Sequence, residues 1–240
     1  APDGYTVGFM FLTHTVLPAL FGKVSYRTDG DFAPIANLVW LYNALLVAPG
    51  SEYADVRGLV EQARRQPGKL SYGSGGNGSP AHLLAAAFCQ AAGIDMLHVP
   101  FKGPAEAAQA LMGGYVQTMF ATASVAVPLA QSGKLRALAV TRDGGMDALP
   151  GVPTMAEAGY DDFVVEQWQA VFAPAATPAE AIARLNAGIG RALQSPALVE
   201  LAGQLGITLA GGTPQALDQI RKADFDKWGK VIREAGIKPA

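Results

Sequence analysis

Short apolar runs that read as β-strands alternate along this chain with segments that read as helices, and that alternation limits the fold more than any other feature. The β-type runs occupy residues 5–11, 36–47, 69–72, 96–99, 116–120, 135–141 and 164–172. Four helix starts share one grammar, a hydroxyl residue followed by proline: Ser79-Pro80, Thr177-Pro178, Ser195-Pro196 and Thr213-Pro214. The hydroxyl can accept from a free backbone N–H, and proline suits the first helical position because its missing donor is not needed there. Glu180 stands three residues after Thr177 and Glu157 three after Thr154, so both pairs fit a capping box. Glycines 93, 113, 206 and 236 supply helix stops. From residue 177 onward helices dominate around one strand near 207–210. The pattern predicts an α/β fold with largely parallel strand pairing.

Half of the 240 residues are apolar and 16% are charged, which supports a sizeable core and argues against disorder. A net charge of −2 provides no global field to attract nucleic acid or anionic lipid. No stretch approaches the ~18 uninterrupted apolar residues of a membrane span. Cys89 is the single cysteine, so no intrachain disulfide can form, and its apolar neighbours mark it as a buried structural thiol. The first residues lack the basic region, apolar core and cleavage site of a signal peptide. Ala1-Pro2-Asp3-Gly4 instead reads as a turn arriving from an earlier element, so the chain is expected to join midway through a domain.

The most informative segment is the strand, glycine loop and capped helix over residues 69–83. Its glycines let the backbone come close to a ligand, and the free N–H groups at the helix start favour a carboxylate or phosphate. Ser74, Asn77 and Ser79 add neutral donors, while Gly75 and Gly78 contribute backbone. Gly73-x-Gly75-x-x-Gly78 matches the short dinucleotide pattern, but the acidic residue expected at the end of the following strand is missing. Asp95 precedes that strand, and Phe101-Lys102-Gly103-Pro104 follows it. Neither a Walker loop nor a Gly-x-Ser-x-Gly elbow occurs. His14, His82 and His98 have no metal-ligand spacing. His82 is expected to support the loop and His98 to be a structural strand residue. No cofactor and no metal is expected.

Several longer motifs carry a resemblance. They are Tyr72-Gly73-Ser74 with Gly78-Ser79-x-x-His82-Leu83, then His98-Val99-Pro100-Phe101-Lys102-Gly103, and the run from Gly133 through Arg136 to Thr141. Leu149-Pro150-Gly151-Val152-Pro153-Thr154-x-x-Glu157-Ala158-Gly159 and the ending around Trp228 continue in the same order. Together they resemble the Bug-type receptors, the periplasmic solute-binding components of tripartite tricarboxylate transporters, over essentially the whole chain. The resemblance implies a two-lobe, type II-like periplasmic binding protein with two hinge strands. Residues 1–44 and 169–240 would form one lobe, its N-terminal part missing, and residues 45–168 the other, with ligand in a cleft that closes by hinge motion.

The same resemblance implies a non-enzymatic periplasmic receptor. It would capture a small carboxylate and deliver it to membrane permease subunits, without nucleic acid and without inserting in the membrane itself. Its implied ligand contacts are Ser74, Gly75, Asn77, Gly78 and Ser79, then Thr13 and His14, with Lys102, Phe120, Ala121, Thr122, Trp168 and Gln169 completing the set. Many relatives carry Phe-Asp-Asn where this chain has Phe120-Ala121-Thr122, and that acid could pair with a ligand ammonium group. Ala121 cannot, so di- or tricarboxylates or aromatic acids are expected over amino acids. Two other classes share part of the pattern: a sensory module with the same cleft, and an NAD(P)-binding oxidoreductase.

Overall fold

The structure, a computed structural model, describes residues 1–161, 163–234 and 236–237. It divides into two compact units. One holds Ala1–Leu41 and Gln167–Glu234, and the other holds Tyr42–Glu166. In chain order the first unit opens with β1 (Gly8–Phe11), α1 (Leu12–Phe21) and β2 (Phe32–Leu41). The second unit contains β3 (Asn43–Val47), α2 (Val56–Arg65), β4 (Ser71–Ser74), α3 (Pro80–Ala92), β5 (Leu97–Pro100), α4 (Pro104–Met112), β6 (Thr118–Thr122), α5 (Ala123–Gln131) and β7 (Arg136–Val140). The chain then completes the first unit with β8 (Gln167–Pro174), α6 (Ala179–Ala192), α7 (Pro196–Gln204), β9 (Thr208–Gly211) and α8 (Pro214–Glu234).

The sheet of the first unit has the order β1-β8-β2-β9 and is antiparallel throughout. Its two faces follow the period-2 alternation of β8. Trp168, Ala170 and Phe172 point to one side, where Met10 and Leu217 of α8 meet them. Val171 and Ala173 point to the other, against Ile35, Ala36 and the α6 residues Ile182, Leu185 and Ile189. Helices therefore cover both faces of one sheet.

In the second unit the order is β5-β4-β6-β3-β7. β4 runs parallel to β5 and to β6, while β3 is antiparallel to both β6 and β7. All five residues of β3 are buried, as a central strand covered on both faces requires. Phe88 of α3 meets Phe120 of β6 edge-on at 5.8 Å, and Tyr160 and Phe163 at 5.3 and 6.0 Å.

The expectation of largely parallel pairing is corrected: most strand pairs among the described residues are antiparallel. The local inference of direction still holds. β1 and β2, separated by α1, are both antiparallel to β8 and so parallel to each other, but β8 lies between them. β6 and β7, separated by α5, stand in the same relation to β3. A strand–helix–strand unit fixes direction, whereas the strand that fills the gap comes from elsewhere in the chain.

Helix caps followed the sequence unevenly. Ser79 accepts from the His82 N–H at 3.4 Å and Thr213 from the Ala216 N–H at 3.2 Å. Ser195 makes no side-chain cap, and α6 begins at Ala179 without one. Thr154 and Glu157 do form the reciprocal box, at 2.8 and 3.0 Å, but the segment closes as turns rather than a helix. Thr154 is held in a bridge to Val140, and Gly159 breaks away at a φ of 94°.

The aromatic cluster predicts the response to one truncation. Phe88 is 2% exposed. Phe88→Ala should lower unfolding free energy by about 3–5 kcal/mol in a denaturant titration. A change under about 1 kcal/mol would show that the cluster does not hold this unit together.

Candidate functional site

Three helices of the second unit start at one edge of its sheet. α3 follows β4, α4 follows β5 and α5 follows β6, and these three strands are mutually parallel. Their C-terminal ends, and hence the positive ends of three helix dipoles, gather on that edge.

The 74–79 loop is tightly built. Gly75 lies against the start of α4: a Cβ there would stand 3.2 Å from the Pro104 backbone nitrogen. Gly78 has a φ of 72°, a conformation that side chains resist. Ser79 N–H donates to the Gly76 carbonyl at 3.1 Å, and the Gly76 N–H donates to Ser74 Oγ at 3.2 Å. The backbone N–H groups of Gly75, Asn77 and Ala81 meet no acceptor among the described residues. They are the donors an anion can take.

Beneath the loop lies a stack that the sequence does not announce. Tyr72 and His98 are register partners on parallel β4 and β5, and their rings stack at 5.0 Å. His98 stacks in turn on His82 at 3.7 Å and 14°. His98 Nε2 is 2.6 Å from Ser74 Oγ, and His82 Nδ1 accepts from the Gly78 N–H at 3.1 Å. Burial lowers the pKa of His82. Burial, and then the neighbouring His82, push His98 down to about 4. Both rings are therefore neutral at pH 7. Pairing residues 72 and 98 across two adjacent strands would have found the first half of this stack.

The remaining candidates separate into several settings. Ser74 is fully buried, with its hydroxyl shared between His98 and Gly76, so the expected ligand-facing hydroxyl is instead an internal brace. Asn77 is exposed and Ser79 half-buried. Lys102 is exposed, and its N–H is taken by Glu106 at 2.9 Å. Phe120 and Ala121 are buried in β6 directly before Thr122, and the aromatic cluster around Phe88 claims the Phe120 ring, which takes that side chain into the core. Thr122 reaches the edge and shares a hydrogen bond with Ser124 at 3.2 Å. Opposite Thr122 in the ladder is Asn43, a residue sequence reasoning missed. Its buried Nδ2 has no partner among the described residues.

Thr13, His14, Trp168 and Gln169 belong to the first unit. Thr13 and His14 lie in the first turn of α1. His14 stacks on Tyr26 at 4.5 Å, and its pKa is lowered by burial and then by Arg221. Trp168 is core: it is 1% exposed and its indole N–H donates to Asp224 at 2.7 Å. Gln169 is half-buried between Phe11 and Val39 in the ladder. Cys89 is half-buried with its thiol pushed up to about 12, so it stays protonated. Among the described residues no cluster of three metal-ligating side chains occurs, and no helix is long and apolar enough to cross a membrane.

The two α/β units have the fold of the periplasmic binding proteins among the solved structures this chain resembles. The family "Tripartite tricarboxylate transporter family receptor" matches residues 1–237, and the chain belongs to it. The chain is 32% identical to Protein BugT of Bordetella pertussis over 243 residues, covering 99% of this chain and 74% of that protein. Rpa4515 of R. palustris, solved with adipate, superposes with a TM-score of 0.91 at 30% identity, covering 100% of this chain and 81% of its own. MatC (Rpa3494) from Rhodopseudomonas palustris, solved with bound malate, gives 0.87 at 30% identity, covering 97% and 80%. The family is one of transporter receptors, and periplasmic binding protein BugD is among the structural neighbours, with a TM-score of 0.89 at 28% identity, covering 100% of this chain and 81% of its own.

The depressed imidazoles set a pH dependence. In the unfolded chain a histidine titrates near about 6.5. Between that value and about 4 the unfolded state holds a proton that folded His98 does not. Stability is therefore expected to fall as pH drops through this window. His98→Gln should flatten the decline in melting temperature between pH 7 and 4. A parallel decline in both proteins would remove His98 as a contributor.

Proposed function

We propose that this chain captures a small di- or tricarboxylate or an aromatic acid in the periplasm and delivers it to the permease subunits of a tripartite tricarboxylate transporter. The observation that carries the reading is the sheet edge where three helix N-termini gather around the unpartnered amides of Gly75, Asn77 and Ala81. Backbone donors fixed in this way suit a carboxylate and need no side-chain cation. Adipate and malate in the two neighbours are dicarboxylates of the same chemical class.

The two compact units serve as the receptor's lobes. Ligand contacts in the second unit are assigned to the open amides of Gly75, Asn77 and Ala81, Ser79 and Thr122, with Lys102 adding positive charge. The assignment of Thr13, His14 and Gln169 in the first unit rests on the family resemblance. The receptor performs no chemistry on its ligand. Gly73, the first glycine of the dinucleotide-like pattern, is explained by packing: a Cβ there would stand 3.2 Å from Val116 and 3.4 Å from Phe101.

Ala121 leaves this edge without the acid that would hold a ligand ammonium group. Calorimetric titration of the purified protein should therefore show binding of succinate, citrate or nicotinate ahead of aspartate and glutamate, with the ligand recovered unchanged by mass spectrometry. Preference for the amino acids would overturn the selectivity, and conversion of the ligand would overturn the receptor reading.

A further inference from the structure

His82 connects the open loop to the buried stack. Its Nδ1 is the acceptor for the Gly78 N–H. That bond fixes the ring in the tautomer with the proton on Nε2, because a protonated Nδ1 would face another donor. Gly78 sits at positive φ between Asn77 and Ser79, so its peptide orientation sets the direction of the neighbouring amides. His82 is 7% exposed and lies on the first turn of α3, behind the loop.

The groups facing His82 are few. Tyr72 comes from β4, at 6.3 Å between ring centroids, and His98 from β5, at 3.7 Å. Tyr72 is held far above the ordinary tyrosine value by burial and then by Cys89, so it stays neutral. Neither a carboxylate nor a fixed cation is among the charges acting on His82. Two stacked imidazoles this close resist a second positive charge, so the pair takes up its first proton reluctantly and a second one more so.

We infer that His82 is a positioning residue for ligand capture: its unprotonated Nδ1 holds the Gly78 peptide, and with it the amides of residues 75 and 77, in the carboxylate-accepting arrangement. Protonation of His82 replaces the acceptor by a donor and releases the loop, so capture is lost on acidification. The inference rests on the carboxylate-receptor reading and adds a pH limit to it. Two effects oppose each other here. A cation behind the loop attracts an anion, while loss of the Gly78 bond disorders the donors that must grip it. Contact geometry outweighs a charge set behind the loop, because a hydrogen bond weakens steeply once its donor is misaligned.

The test uses three proteins: wild type, His82→Asn, whose side-chain oxygen can replace Nδ1 as acceptor but does not titrate, and His82→Phe, which keeps an aromatic ring without an acceptor. Binding of succinate, citrate and nicotinate is measured by calorimetry at pH 7.5 and pH 4.5. At pH 7.5 His82→Phe should bind about tenfold more weakly than wild type, the equivalent of one lost hydrogen bond, and His82→Asn should restore affinity. At pH 4.5 wild type should lose affinity relative to His82→Asn; the ligand's own protonation is common to both and cancels. Equal affinity of all three proteins at both pH values, or a wild type that gains on His82→Asn in acid, overturns the inference.

Nitrogen-15 NMR of the histidines gives an answer that needs no ligand. The expected spectrum at neutral pH has a bare Nδ1 on His82 and a Gly78 amide that shifts as His82 titrates. A protonated Nδ1 at neutral pH overturns the inference. A wild type that binds no carboxylate at pH 7.5 overturns the receptor reading instead, and the NMR result then decides the role of His82 separately.

Discussion

Each unit depends on one inserted strand. β8 bonds on both edges, to β1 and to β2, and β3 does the same between β6 and β7. Without them, two pairs of strands that share a direction would stand apart with their backbone donors and acceptors unmet. Buried peptide groups must find partners, so the inserted strand is a condition of each sheet rather than an addition to it. Both strands directly follow a passage of the chain from one unit to the other, at residues 41–42 and 166–167. The connection between units and the closure of each sheet are thus made by the same residues.

The site depends on the other half of the second sheet. Parallel β4, β5 and β6 deliver three helix starts to one edge, where open backbone amides provide fixed donors. The polar side chains nearby are mostly engaged in holding the backbone in place. Ser74 braces the loop from below, Ser79 caps α3, and Glu106 takes the Lys102 N–H. Such a division suits a binding protein, since a fixed backbone donor loses little conformational freedom when ligand arrives.

Much of this was legible in the sequence, but unevenly. The strand–helix alternation and the Ser79-Pro80 start located α3 and its loop, because capping and periodicity are local. The antiparallel insertions were not legible, since periodicity records the faces of a strand and not its neighbour. Thr154 and Glu157 show a motif present in full detail without its usual consequence: the box forms, but a bridge to Val140 fixes the segment as a turn. Phe120 stood in a motif beside the ligand edge, and only the position of Phe88 reveals that its ring faces the core. The Tyr72–His98–His82 stack joins two strands and a helix, so no spacing along the chain could signal it.

The close approach of Gly75 to the Pro104 backbone has a kinetic meaning. A Cβ at Gly75 would stand 3.2 Å from the Pro104 backbone nitrogen, so the loop packs closely against the start of α4 and neither can fluctuate far without displacing the other. For the carboxylate capture proposed above, such packing would present donors already aligned, and association would require no slow rearrangement of this edge. Related ligands will then enter at similar rates and differ in how long they stay. On that reading, discrimination among solutes on this edge would be a matter of residence time.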